Sequence, residues 1–198
     1  MTSRRGLFAR TRPLMAAAVL AGCSASAPPP PSAAPGAMER PAVPAGWRTI
    51  TSDEGDVRVV VPPDADVLQT AGSVLAQAPT DVPGAPFEVW VTGPAAIIQP
   101  TGGQSTMHWL EDSGWMPREG GGIVFGPTTE RELFLPAGRA IEVTTSVQPG
   151  TPDEGGVVLY VVETGGGFAI VRFVGTPALL EQRTLQIQLI SQLVEFVD

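Results

Sequence analysis

Nucleophilic or metal catalysis needs an activating base or a ligand set, and both are thin here: His108 is the only histidine and Cys23 the only cysteine in 198 residues. Ser105 and Ser113 flank His108, but the chain has no Gly-x-Ser-x-Gly elbow, and the two serines stand where a helix cap and a turn belong. One histidine and one cysteine cannot assemble the usual zinc ligand sets. Lysine is absent, which removes Schiff-base chemistry and a phosphate-loop lysine, and asparagine is absent, which removes N-glycan acceptors. Glu111 and Asp112 are neighbours that point in different directions on a helix, a poor arrangement for paired acid and base work.

The acidic clusters Asp53-Glu54-Gly55-Asp56, Asp64 with Asp66, and Asp153-Glu154 offer carboxylate oxygens of the kind calcium takes. None has calcium-loop spacing, and each lies beside Gly or Pro, where Asp favours turns. Gly120-Gly121-Gly122 and Gly165-Gly166-Gly167 precede strand-like runs instead of helices, so they read as turns and not as nucleotide loops. No cofactor and no metal is expected. Met107, Trp109, Trp115 and Met116 are heavy apolar residues on a Gly-rich segment. Burial in the core is the default for them, and a groove for a ligand or partner is the alternative.

Cys23 closes Leu20-Ala21-Gly22-Cys23 directly after a short apolar run that follows Arg4, Arg5, Arg10 and Arg12. A positive n-region, an apolar core and small residues at the cut are the parts of a secretory signal. The apolar run is shorter than the roughly 20 residues that cross a bilayer. The tetrapeptide resembles the lipobox of bacterial lipoprotein precursors, which implies cleavage before Cys23 and a diacylglycerol on it. Ser3-Arg4-Arg5-Gly6-Leu7-Phe8 is similar to a twin-arginine export signal, and paired arginines also serve simply as n-region charge. The expected address is the cell membrane, lipid-anchored on its extracytoplasmic face. Residues 1–22 read as signal peptide, and 23–45, rich in Ala, Pro and Ser, as the lipidated cysteine plus a disordered linker with too little apolar surface to fold. Stiff polyproline rises about 3.1 Å per residue, so the stalk reaches up to roughly 70 Å from the bilayer.

All twelve basic residues are arginines, and the formal net charge is −8. The four arginines of the n-region precede the cut while every acidic residue follows it, so the cleaved chain is more acidic still. That balance argues against nucleic acid and against a basic patch on anionic lipid.

Residues 46–198 have the size of one domain with one core. Trp47 to Ile50 and Val57 to Val61 read as a hairpin, Phe87 to Val91 as a strand, and Glu132 to Leu135 with Arg139 to Val147 as further strands. Val157 to Val162 and Phe168 to Val174, joined by the glycine run, make the clearest hairpin. Thr176 caps and Pro177 opens a closing helix, with Leu185, Leu189, Leu193 and Phe196 on one face and Ile190 and Val194 widening it. A shorter helix starts near Ser105 or Thr106 and stops at Gly114. Successive hairpins with few crossovers predict an α+β fold, a mainly antiparallel sheet with packed helices.

The opening Gly46-Trp47, the strand ending Val59-Val60-Val61-Pro62, Phe87-Glu88-Val89-Trp90-Val91, Leu133-Phe134-Leu135-Pro136-Ala137-Gly138-Arg139-Ala140, the late hairpin and the closing helix together resemble the PsbP-like, Mog-like α/β sandwich of many actinobacterial lipoproteins. That family has no shared catalytic set, and its members act largely as accessory or binding proteins. The resemblance implies a non-catalytic partner-binding module of the cell envelope with a protein partner there. A lipid or hydrophobic-ligand carrier is the alternative, and a hydrolase comes third.

Overall fold

The computed structural model describes residues 39–78, 87–116 and 124–197. Cys23, the signal, most of the linker and Gly120-Gly121-Gly122 lie outside the described residues. The domain is α+β, and its described residues form a mainly antiparallel seven-stranded sheet, a three-stranded sheet, three α-helices and a one-turn 3-10 helix.

β1 (Arg48–Thr51) and β2 (Val57–Val61) pair antiparallel around the Ser52-to-Asp56 turn, where Ser52 Oγ donates to Asp56 Oδ1 at 2.6 Å. β3 (Asp66–Thr70) and β4 (Ser73–Ala78) form a second hairpin, which leads on to β5 (Phe87–Thr92). α1 (Thr106–Asp112) follows, capped by Ser105, whose Oγ accepts from the His108 N–H. β6 (Thr129–Leu135), β7 (Gly138–Val147), β8 (Gly155–Thr164) and β9 (Gly167–Gly175) then run as a meander. α2 (Pro177–Gln182), α3 (Thr184–Leu193) and the short β10 (Glu195–Phe196) close the chain.

The large sheet has the order β3-β4-β5-β9-β8-β7-β6, and the small one β1-β2-β10. One face of the large sheet carries β2, α2 and α3 over a core that includes Val59, Val61, Phe87, Phe173, Leu180 and Ile190. On the other face a smaller cluster forms where Trp109, Leu110 and Met116 pack on Val143, Leu159 and Ile170. β8 and β9 are therefore covered on both sides. That is why Val157 to Val162 reads as a continuous apolar run and does not alternate.

The closing helix departs from the sequence pattern. It is two helices, broken at Arg183, and the buried face of the second carries Ile187, Ile190, Ser191 and Leu193. Leu185 is 81% exposed, and Phe196 has left the helix to pair with Val57 of β2. Leu185, Leu189 and Leu193 all lie within α3, but the helix docks on the face centred on Ile187, Ile190 and Ser191, and at 100° per residue Leu185 falls on the opposite side. β3 and β4 were not predicted; β3 is an edge strand that buries little, so its hydrophobic signal is weak. Ahead of residue 46, Arg40 ion-pairs with Glu195, which also pairs with Arg58 at 3.4 Å.

Pro136-Ala137 makes the two-residue turn between β6 and β7, and Gly138 closes it at φ 149°. A Cβ there would stand 2.2 Å from the Glu163 carbonyl oxygen, which is backbone and cannot swing away. Gly138→Ala is expected to destabilise the domain by about 3 kcal/mol through clash and backbone strain. Urea denaturation checks this, and a change under about 1 kcal/mol would contradict it.

Candidate functional site

α2 lies over β8 and β9 with α3 following it against β2, and among the described residues the β6–β7 side of that sheet face is left uncovered. The approach of α2 is set by Gly156, where a Cβ would meet Leu180 Cδ1 at 2.7 Å. Thr176 fixes the start of α2, its Oγ1 accepting from the Leu179 N–H at 3.2 Å. On the opposite side residues 124–126 run along the end of β7, with the Gly126 N–H donating to the Ser146 carbonyl at 2.9 Å, and deliver Pro127 and Thr129 to the rim. Between these borders is a cleft of about 420 Å³, a volume within the usual range for small-ligand sites.

Its chemistry is a cross-strand row. Arg131 on β6 stands opposite Glu142 on β7, which stands opposite Tyr160 on β8. Arg131 Nη2 donates to both Glu142 carboxylate oxygens, at 2.9 and 3.1 Å. Tyr160 is buried, and burial first, then its hydrogen bond to Glu142, pushes its hydroxyl well above the ordinary tyrosine range. It therefore stays protonated and donates to the carboxylate. Ser191, whose Oγ donates to the Gln188 carbonyl at 2.9 Å, lies beside it. Both full charges of the row are thus spent on each other. What remains for a ligand is apolar surface from Val158, Leu180 and Ile187, the hydroxyl and amide groups of Thr129, Thr144 and Gln188, and the Glu181 carboxylate.

The residues singled out in the sequence lie elsewhere. Trp109 and Met116 are 3% and 1% exposed and belong to the core under α1, with the Trp109 indole donating to the Ile98 carbonyl at 2.7 Å. Met107 and Trp115 are partly buried against the same cluster, and none of the four lines the cleft. His108 is exposed and pairs with Asp112 at 3.1 Å one helical turn on. Ser105 is committed to its cap, and Ser113 Oγ donates to the Trp109 carbonyl at 2.7 Å. Asp153-Glu154 forms a turn in which Glu154 accepts from the Gly150 N–H at 3.1 Å. Among the described residues no group of three His, Cys, Asp or Glu side chains could hold a metal ion.

Sequence reasoning missed Arg131, Glu142 and Tyr160 because only strand register brings them together. One signal was present: Tyr160 is the single tyrosine of the chain, set in an otherwise aliphatic strand.

A second polar feature lies on the other face of the sheet. Arg172 of β9 stands opposite Trp90 of β5, and its buried Nε has no hydrogen-bond partner. Burial lowers its guanidinium pKa, partly offset by the field of Glu88. An unsatisfied buried donor costs about 1–3 kcal/mol.

The solved structures to which the chain is similar include the following two. One is the cyanobacterial PsbP (CyanoP) of Synechocystis, with 8% identity, a TM-score of 0.49, and coverage of 77% of this chain and 94% of that one. The other is a Pseudomonas aeruginosa protein of unknown function, with 13% identity, a TM-score of 0.45, and coverage of 74% and 94%. No protein-family profile matches the sequence, and no curated protein sequence does.

Proposed function

We propose that this chain is a membrane-anchored extracytoplasmic lipoprotein whose domain is a non-catalytic accessory module of the cell envelope, and that it works by binding in the cleft between α2–α3 and β6–β8. Cys23 after Leu20-Ala21-Gly22 supports the anchor, with a diacylglycerol on that cysteine and the Pro-rich segment as stalk. The observation that carries the binding reading is the cleft itself: about 420 Å³ of largely apolar wall with hydroxyl groups at its rim and its one ion pair already satisfied. Such a lining suits an uncharged body with hydrogen-bonding groups at one end, the carrier form of the function. An anion finds Arg131 engaged and meets the Glu181 carboxylate at the wall, and a cation finds Glu142 engaged.

The partner-binding form is favoured by β6, an edge strand of the large sheet with Phe134 half-exposed beside its unpaired side. An extended segment of an envelope protein can add to such an edge through main-chain hydrogen bonds.

Native mass spectrometry of the protein released gently from its own membranes tests the first form. The expected result is a co-purifying uncharged molecule, lost at least tenfold in Thr129→Trp, where the new ring sits on an exposed strand position and fills the cleft mouth. A bare protein in both preparations, together with a photo-crosslink from position 134 to one envelope protein, would turn the function to the partner form.

A further inference from the structure

The face of the large sheet opposite α2 and α3 is only half covered. Among the described residues α1 and Met116 close it over β7, β8 and β9, and nothing closes it toward β3. Strand register lines up one row across the open half: Leu68 on β3, Leu75 on β4, Trp90 on β5 and Arg172 on β9. Leu68 is 60% exposed, Leu75 is half-buried and Trp90 is 38% exposed. The Trp115 ring braces Trp90 edge-on, with centroids 5.9 Å apart. Beside Leu68 and Leu75 the surface dips into a shallow depression of about 150 Å³. The row is an apolar lane about 14 Å long, three strand spacings, ending on a cation.

That cation is unlike the others. Arg40 and Arg58 are engaged by Glu195, Arg131 by Glu142, Arg139 by Glu132, Arg48 by the Ala65 carbonyl and Arg183 by Gln186. Among the described residues only Arg172 makes no hydrogen bond and no ion pair, although its chain carries a surplus of carboxylates. The nearby Glu88 accepts from Gln77 at 2.7 Å and attracts the guanidinium only through its field. A half-buried guanidinium held among Trp90 and Leu159 with an orphaned Nε costs stability and supports nothing else in the fold.

We infer that this lane is a second binding site, for a singly charged carboxylate with an apolar tail: the carboxylate completes Arg172 and the tail lies over Trp90, Leu75 and Leu68. It is independent of the cleft, from which the whole sheet separates it. One negative charge is favoured over two because Glu88 repels the second. The net charge of −8 works against an anionic bilayer surface, so the occupant is a single molecule taken from solution.

The experiment uses the full chain carrying Cys23→Ala, titrated with decanoate, decanol or decyltrimethylammonium below their micelle concentrations. Tryptophan fluorescence and calorimetry report binding. Saturable decanoate binding is expected, with the other two at least tenfold weaker. Arg172→Met should weaken decanoate at least tenfold while leaving the melting temperature unchanged or higher, because it removes a buried unsatisfied charge without a cavity. Leu68→Glu, at an exposed edge position that folding tolerates, should weaken it likewise. Equal binding of decanol, full affinity in Arg172→Met or Leu68→Glu, binding only to phosphatidylglycerol vesicles, or a lowered melting temperature in Arg172→Met would each overturn the site.

Discussion

Phe173→Ala is expected to lower the stability of the domain by about 4 kcal/mol, the cost of emptying a fully buried aromatic site that cannot collapse. Phe173 lies on β9, between β5 and β8, and is completely inaccessible. Its ring stacks on Phe87 at 6.0 Å and meets Tyr160 edge-on at 6.1 Å. Each such pair adds roughly 0.5–1.5 kcal/mol beyond area burial. Domains of this size hold only about 5–15 kcal/mol in total, so the variant should melt roughly 10 °C lower. The effect reaches function as well, because Phe173 is a wall against which Tyr160 is held under the cleft. Urea denaturation gives the energy, and a loss below about 2 kcal/mol would mean that the two sheets repack around the gap.

The second large effect concerns location. A Cys23→Ala chain is expected to show neither diacylglycerol nor cleavage between Gly22 and position 23, and an engineered cut that removes residues 1–22 should then release it to the soluble fraction. Each buried methylene of an acyl chain contributes roughly 0.8 kcal/mol, so a two-chain anchor holds where one chain binds only marginally. Among the described residues no helix is long and apolar enough to cross a membrane, and the domain's acidic charge gives it little attraction to anionic lipid. Fractionation after expression in a bacterium that processes lipoproteins, followed by intact mass measurement, checks both parts. Retention of the cut Cys23→Ala chain on the membrane would place the anchor elsewhere.

Hairpins with tight turns and a strong apolar contrast were legible residue by residue. Gly165-Gly166 sits between two runs of valine, isoleucine and phenylalanine, and β8 and β9 pair about it as expected. Ser105 and Thr176 cap helices because a side-chain hydroxyl three residues ahead of an N–H is a local matter. β3 and β4 were not legible, since β3 is an edge that buries little. Nor was the buried stripe of α3, since which side of that helix meets the core is set by how it docks and not by the spacing of its leucines.

The α+β class, the turns, the caps and the poverty of catalytic side chains are all legible in the chain because they depend on residue types or on residues within a few positions of one another. The sites are not. Arg131, Glu142 and Tyr160 meet through the register of three strands, and Leu68, Leu75, Trp90 and Arg172 through the register of four. A one-residue slip in any of those pairings would send every side chain of the strand to the opposite face. Register is fixed by the whole buried core, so no local stretch of the chain carries it.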